Sequence, residues 1–260
     1  MPSLTARALE GLPEIHAGDD LAALIASAAR DSGERLHNGQ VLSIAHKAVS
    51  KAEGAVVSLS DVEPTERARE LAAGPLAPAG GGERDPRFVQ VALDQSAEIV
   101  RAERGILVCR THHGFICANA GLDASNAAAS DALIVLPRDP DGSARALRAR
   151  LLELTGASPA VLITDSFGRA WRHGQVDVAV GLAGMRPMDD WRGRRDSAGM
   201  TLRATWLAVA DAAAGAADLA RAKDSREPVV LIDGLERFVT AEDGPGAKAL
   251  IRPSEEDLFR

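Results

Sequence analysis

The apolar run Ala-Val-Leu-Ile-Thr at residues 160–164 limits the possible folds more than any other segment. Five consecutive residues of this kind predict a strand in the core, and Asp165 and Ser166 follow it directly. Proteins with sheets and helices commonly place functional groups at strand ends. The carboxylate and hydroxyl are hard oxygen ligands that suit Mg²⁺ or Mn²⁺. From these residues alone, metal binding and capping of the next turn are equally good interpretations.

Similar patterns along the chain predict a mixture of strands and helices. The other predicted strands lie at residues 40–45, 99–102, 106–110, 115–118, 132–136, 176–182 and 229–232. One predicted helix begins after an N-cap at Asp19 or Asp20, and a second begins with Pro64 in its first turn. Three further helices are predicted over 87–95, 144–154 and 201–222. Because the two kinds of element do not alternate regularly, we predict an α+β fold in which residues 1–260 form a single domain of two lobes.

Composition and charge exclude several functional classes. The chain has 260 residues, of which 46% are hydrophobic and 26% charged, as in ordinary soluble enzymes. The formal charge of -7 and the absence of a Lys- or Arg-rich run argue against nucleic acid as a partner. There is no secretory signal pattern and no apolar run long enough to cross a bilayer. We therefore expect a cytoplasmic enzyme with no membrane partner.

The two cysteines are too few for a disulfide framework in a chain of this length. Cys109 and Cys117 fall on similar faces of predicted strands, where cysteine usually fills apolar space. His112 and His113 lie between them, which leaves a zinc site open as an alternative. However, the spacing matches no common zinc pattern, and adjacent histidines on a strand point to opposite faces.

Three further segments carry groups that could bind anions or cations. Residues 119–126 place two amides, a hydroxyl and Asp123 in a loop, although such residues most often form simple turns. Residues 46–54 place lysines after a strand, where they could meet phosphate or form a charged surface turn. Arg169 and Arg172 lie among glycines and could clamp phosphate or carboxylate groups, or be solvated. The common phosphate-loop, dinucleotide and nucleophile-elbow motifs are absent.

Taken in order, seven segments resemble the coenzyme F420-0:L-glutamate ligase family, which includes CofE and the N-terminal domain of FbiB. They are Gly-Leu-Pro-Glu-Ile at 11–15, Gly-Asp-Asp-Leu at 18–21, Val-Ser-Lys-Ala-Glu-Gly at 49–54, Asn-Ala-Gly-Leu-Asp-Ala-Ser-Asn at 119–126, Asp-Pro-Asp-Gly-Ser at 139–143, Thr-Asp-Ser-Phe-Gly-Arg at 164–169 and Glu-Asp-Leu-Phe-Arg at 256–260. Each is modest alone, but seven in the same order are specific.

The resemblance implies a ligase of coenzyme F420 biosynthesis. Such an enzyme uses GTP to activate the terminal carboxylate of coenzyme F420-0, as an acyl phosphate, and the amine of L-glutamate then attacks. A second glutamate can follow through a γ-linkage. The family requires a divalent cation, Mg²⁺ or Mn²⁺, with one or two ions and in some members K⁺. It is described as an intertwined homodimer of a distinctive α+β fold.

The resemblance also assigns roles by position. The divalent metal would be held by Asp123, Asp165 and Ser166. GTP would be held by Leu12, Pro13, Glu14, Ile15, His46, Lys51 and Asn126. Arg169 and Arg172 come from the residue pattern and not from the resemblance, as candidates for the substrate's phosphate or carboxylates.

The sequence departs from the family pattern at three places. Ser166 stands where the family often has Thr, and His46 replaces a small polar residue. Residues 222–225 are shorter and more basic than the acidic archaeal segment, so a metal carboxylate from there is in doubt. We expect no C-terminal reductase domain and therefore no flavin chemistry. Three alternatives stay open: a paralogous amide ligase with another acceptor or amino acid, a non-catalytic nucleotide-binding protein, and a metal phosphatase.

Overall fold

The computed structural model describes residues 3–77, 84–124, 131–222 and 225–257. Within these ranges the strands are β1 (Thr5–Ala8), β2 (Val41–Ala45), β3 (Val56–Ser58), β4 (Ser96–Glu103), β5 (Ile106–Thr111), β6 (Ile116–Ala118), β7 (Ala132–Ile134), β8 (Ala160–Arg169), β9 (Arg172–Ala183), β10 (Met188–Asp190), β11 (Trp206–Ala208) and β12 (Val229–Asp233). The α-helices are α1 (Leu21–Asp31), α2 (His46–Ala52), α3 (Glu66–Ala73), α4 (Pro86–Asp94), α5 (Pro140–Thr155) and α6 (Val209–Ala220).

A five-stranded mixed sheet forms the centre of the fold, in the order β1-β12-β2-β8-β9. Within it, β2 and β8 are parallel, and the other neighbours are antiparallel. Smaller antiparallel sheets are formed by β4-β5-β6, β3-β7 and β10-β11. The predicted α+β class is confirmed, and the division into two lobes stays a prediction.

Helices cover both faces of the central sheet, which explains why its strands are continuously apolar. Leu42 and Ile163 face a cluster that includes residues of α1 and α5, whereas Val41 and Leu162 face α6. All four side chains are fully buried. Since successive strand residues point to opposite faces, a strand covered on both sides needs apolar residues throughout.

Helix capping agrees with the sequence at three helix ends and differs at a fourth. The Asp20 carboxylate accepts the Ala23 N–H at 3.0 Å at the start of α1. In α5, Asp139 is the N-cap and the left-handed Gly156 ends the helix. The expectation that Pro64 lies in the first turn of α3 is wrong, because Thr65 is its N-cap.

Three other boundaries differ from the sequence prediction. The strand predicted to end at residue 164 continues to Arg169, because it pairs with β9 along that length. The helix predicted over 201–222 is confirmed only for α6, since Trp206–Ala208 instead pairs with β10. Residues 46–52 form α2, a helix that the sequence did not predict. Gly54, with φ of +72°, lies just past its C-terminal end.

Across the described residues, the helices are too short or too polar to cross a membrane.

Candidate active site

The parallel pairing of β2 with β8 places His46 beside Asp165. Ala45 and Thr164 are register partners at the ends of their pairing, so the residues that follow them emerge at the same edge of the sheet. His46 Nε2 lies 3.3 Å from Asp165 Oδ1, and the imidazole is 2% exposed. The contact falls outside hydrogen-bond geometry, so Nε2 is buried without a hydrogen-bond partner in the described part of the chain. Because buried polar atoms are nearly always hydrogen-bonded, this nitrogen beside a carboxylate makes the edge a candidate functional site.

Helix α2 connects this edge to two other predicted segments. Residues four apart lie on one face of a helix, so Lys47 and Lys51 point in similar directions. Lys47 Nζ lies 2.6 Å from Asp123 Oδ2, and Lys51 Nζ lies 2.6 Å from Glu14 Oε1. The ion pair with Lys51 lowers the pKa of Glu14, chiefly through the hydrogen bond. The structure therefore brings the 12–15 segment and Asp123 to the same short helix.

A strained turn approaches Asp165 from the other side. Asn119, Ala120 and Gly121 all have φ between +51° and +73°, a region that non-glycine residues rarely adopt. A Cβ atom built on Gly121 would lie 3.5 Å from Asp165 Oδ2. The side-chain oxygen of Asn119 is buried and has no hydrogen-bond partner among the described residues. Backbone strain of this kind persists where surrounding structure enforces it, often at functional sites.

The two oxygens of Asp165 have different surroundings. Oδ1 accepts the Ser166 N–H at 2.8 Å and is the oxygen nearest His46. Oδ2 faces the turn at Gly121. Oδ2 is therefore the oxygen better placed to take a further ligand.

The donor set fits a hard cation that also binds phosphate. No cluster of three or more His, Cys, Asp or Glu side chains suited to a metal occurs in the described ranges. Mg²⁺, however, usually takes only one or two protein carboxylates and completes its shell with water and substrate phosphates. Asp165 and Asp123 would supply the carboxylates for such a cation, and the Asn119 side-chain oxygen, buried without a hydrogen-bond partner among the described residues, would be a third hard donor. When bound, such a cation would neutralise phosphate charge.

Ser166 faces away from the Asp165 carboxylate. Its hydroxyl donates to Asp177 Oδ1 at 2.6 Å, and Thr164 Oγ1 donates to Asp177 Oδ2 at 2.9 Å. Arg221 forms an ion pair with the same carboxylate, which is 1% exposed. Since side chains alternate along a strand, Asp165 points to the opposite face. Asp177 and Arg221 were not among the residues predicted from the sequence. The one signal for Asp177 was its place in the alternating pattern of the strand predicted at 176–182.

Arg169 and Arg172 lie at the exposed tip of the β8–β9 hairpin. They are register partners, and Arg169 Nη2 donates to the His173 carbonyl at 2.5 Å. Trp171 between them is 80% exposed. At a strand rise of about 3.3 Å per residue, Arg169 is roughly 13 Å along β8 from Asp165. The structure therefore does not bring these arginines to the edge that carries Asp165.

The cysteines do not form a zinc site with the neighbouring histidines. Cys109 and Cys117 are register partners in β5 and β6, and both thiols are buried and free. Burial, followed by the nearby Asp165 charge, raises the pKa of Cys117 to about 12. The Nε2 atoms of His112 and His113 lie 3.0 Å and 2.9 Å from backbone carbonyl oxygens. The zinc site that the spacing of these cysteines and histidines left open therefore has no support.

Of the residues assigned to GTP, Ile15 is buried and Leu12 packs partly buried against the core. Glu14 and Lys51 are joined as an ion pair. Asn126 lies outside the described residues, as do positions 223 and 224 of the basic segment.

Comparison with known proteins identifies the family. The profile described as F420-0:Gamma-glutamyl ligase matches residues 11–234. The chain belongs to this family. All but one of the seven segments that carry the resemblance lie within the matched length, and the exception is 256–260.

Full-length relatives agree with this family. The chain is 44% identical to the Coenzyme F420:L-glutamate ligase of Methanothermobacter thermautotrophicus, over 97% of each chain. It is 43% identical to the protein of the same name from Methanopyrus kandleri, over 95% of this chain and 94% of the relative. The protein of that name from Archaeoglobus fulgidus is 40% identical over 97% of this chain and 94% of its own length. The family prediction from sequence is confirmed.

Proposed function

We propose that this chain joins L-glutamate to coenzyme F420-0 at the expense of GTP. The main support is the 44% identity over 97% of both chains to a relative named Coenzyme F420:L-glutamate ligase. A match of that length leaves no large segment of the relative unaccounted for. The candidate site at the β2–β8 edge lies inside the matched region.

In the proposed reaction, a carboxylate oxygen of F420-0 attacks the γ-phosphorus of GTP, and the bond to GDP breaks. The amine of L-glutamate then attacks the acyl carbon, the carbon–oxygen bond to phosphate breaks, and the nitrogen loses a proton. The products are an amide, GDP and phosphate. Several negative charges meet in the first step, so positioning and electrostatic stabilisation supply most of the rate.

The proposed roles keep the residues assigned from the sequence. Asp123 and Asp165 hold the divalent cation, and Ser166, whose hydroxyl donates to Asp177 on the opposite face of β8, would serve only a second cation. Lys51, fixed by Glu14 at 2.6 Å, presents a compact positive charge toward GTP phosphate. The remaining nucleotide contacts come from residues 12–15 and Asn126, whereas His46, which the resemblance assigns to GTP, is too buried to face a nucleotide. K⁺ is a further cation in the proposal, and Arg169 and Arg172 at the hairpin tip meet acidic groups of the substrate.

The two-lobed, intertwined homodimer and a cytoplasmic location complete the proposal. Trp171, exposed on an extended hairpin, is the residue that a second copy would cover. Analytical ultracentrifugation tests whether the chain is a dimer in solution. We expect a dimer for the unaltered chain and a monomer for Trp171→Glu; a monomeric unaltered chain contradicts it.

The decisive experiment incubates the protein with GTP, Mn²⁺ or Mg²⁺, L-glutamate and coenzyme F420-0. Mass spectrometry should find F420-0 carrying one added glutamyl unit, with GDP and phosphate released in equal amounts. Omission of GTP, of glutamate or of the divalent cation provides the three controls. A panel of amino acids and acceptors follows with the same readout.

Other outcomes identify the alternatives. Product only with a different acceptor or amino acid indicates a paralogous ligase. Phosphate release without amide indicates a phosphatase. GTP binding without turnover in the complete mixture indicates a regulatory nucleotide-binding protein. Any of the three contradicts the proposed function.

A further inference from the structure

His46 occupies a position from which it can act on Asp165 but not readily on a bound nucleotide. Its imidazole is 2% exposed, so little of the ring is open to a ligand in solvent. Nδ1 lies 3.4 Å from the hydroxyl oxygen of Ser50, one helical turn further along α2. Nε2 is the unpaired nitrogen and points to Asp165 Oδ1 at 3.3 Å.

The tautomer that satisfies both contacts of the ring carries its proton on Nε2. If the Ser50 hydroxyl donates to Nδ1, a neutral imidazole carries its proton on Nε2. That proton then faces a carboxylate oxygen, which is the natural acceptor for it. Nε2 and Oδ1 are 3.3 Å apart, so only a small rotation of either side chain separates them from hydrogen-bond geometry.

We propose that His46 is a positioning residue for Asp165, an inference that rests on the proposed metal-dependent function. In this role Nε2–H would donate to Oδ1, to which the Ser166 N–H donates at 2.8 Å, so the two donors together would fix the carboxylate plane. Oδ2, on the side of the Asn119–Gly121 turn, would remain the oxygen that holds a divalent cation. Donors behind a ligating carboxylate typically change metal affinity 10- to 100-fold, by order of magnitude.

The test measures Mn²⁺ affinity by electron paramagnetic resonance in the presence of GDP, with no acceptor and no turnover. His46→Met keeps a similar volume but removes the donor. We expect its Mn²⁺ dissociation constant to rise by about 10- to 100-fold. His46→Gln carries an amide N–H that reaches the Nε2 position, and it should restore most of the affinity. The affinity for GDP without metal should be unchanged in both variants.

A second pair keeps the test decisive if His46→Met does not fold. The amide of His46→Asn is too short to reach the Nε2 position, so this variant should lose Mn²⁺ affinity where His46→Gln retains it. Equal affinity of the Asn and Gln variants overturns the inference. Ser50→Ala, which frees the ring at Nδ1, should give a smaller loss in the same direction.

The outcomes separate this inference from the proposed function. If the unaltered chain and His46→Met bind Mn²⁺ equally well, the role of His46 is overturned and the proposed function is not. Loss of GDP affinity without metal in His46→Met also overturns it, because His46 would then contact the nucleotide itself. Absence of Mn²⁺ binding by the unaltered chain with GDP overturns both. High Mn²⁺ concentrations should restore the ligation rate of His46→Met, which a damaged fold would not permit.

Discussion

At the residue scale, the candidate site depends on side chains whose partners lie far away in sequence. Asp165 is recognisable in the sequence as an acid beside an apolar strand. Its neighbours His46 and Gly121 are not, since they approach it only after β2 pairs with β8 and the 119–121 turn folds back. The left-handed backbone at Asn119 and Ala120 has a conformational cost, which packing against the rest of the chain offsets.

The first prediction concerns Asp165→Asn. Asparagine keeps the side-chain size and an acceptor for the Ser166 N–H, but it removes the charge that attracts a cation. We expect kcat/KM for ligation to fall by about 100-fold or more, with the circular dichroism spectrum unchanged. Asp31→Asn, an exposed change at the end of α1, is the matched control and should have full activity. Turnover of Asp165→Asn equal to that of the unaltered chain would refute the metal assignment.

The second prediction concerns the two thiols. Burial raises the pKa of Cys109 and Cys117, for Cys117 to about 12, so both stay protonated at neutral pH. Because the thiolate is the reactive form, the folded protein should react very slowly with a disulfide reagent at pH 8. In the unfolded protein both thiols should react at once, which releases two equivalents of the reagent's leaving thiol per chain. Fast labelling of either thiol in the folded state would contradict the buried pairing of β5 with β6.

At the element scale, three of the segments that carry the family resemblance join helices. Ser143 Oγ donates to Glu53 Oε1 at 2.5 Å, which ties the start of α5 to the end of α2. Arg150 of α5 donates to Asp20 at 2.9 Å, at the start of α1. The Gly18 N–H donates to the Ala52 carbonyl at 2.9 Å. Segments 18–21, 49–54 and 139–143 thus hold α1, α2 and α5 in place behind the site.

The third prediction concerns Arg148, a 5% exposed residue of α5. Its guanidinium donates to the carbonyls of Pro159, Thr240 and Ala241 and pairs with Asp243 at 2.7 Å. Arg148→Met leaves the three carbonyls without this donor, so we expect a loss of about 2–4 kcal/mol in the free energy of unfolding. Urea denaturation measures this change.

Asp243→Asn provides the control for Arg148. The Asp243 side chain is 43% exposed, so the ion pair is screened by solvent. The substitution should therefore cost only about 0–1 kcal/mol. Equal losses for the two variants would mean that the ion pair, and not the set of carbonyl contacts, stabilises this region.

At the scale of the whole molecule, the central sheet holds the candidate site at the edge where β2 and β8 end. Helices α1 and α5 on one face and α6 on the other make this region the largest part of the core. The strained turn and Asp123 reach the same edge from outside the central sheet. Ligands that bind there should therefore stabilise the whole cooperative unit.

The fourth prediction concerns that stabilisation. Mn²⁺ and GTP at 100 times the dissociation constant should add about 2.7 kcal/mol to the free energy of unfolding. For a chain of this size that corresponds to a rise in Tm of about 5–10 °C, measured by differential scanning calorimetry. Asp165→Asn should lose the part of the rise that requires Mn²⁺. If GTP alone raises the Tm of the unaltered chain and of Asp165→Asn by the same amount, the cation either binds elsewhere or does not bind.

The sequence supported the fold class and most of the core elements for a physical reason. Strands such as β8 and β12 are buried on both faces, and this burial demands apolar runs that are visible locally. Caps such as Asp20 and Asp139 act within four residues, so they are also visible locally. Family membership followed from seven short segments in order, and the full-length comparison confirmed it.

The tertiary structure decided what those local patterns could not. Helix α2 has seven residues and no side-chain cap, so its sequence shows no local sign of a helix. The first part of 201–222 forms β11 because β10 provides a pairing partner. The opposite directions of Asp165 and Ser166 depend on β8 continuing past residue 164, which only its pairing with β9 establishes. Local sequence determines which residues prefer the core, whereas contacts between distant strands determine which polar side chains meet.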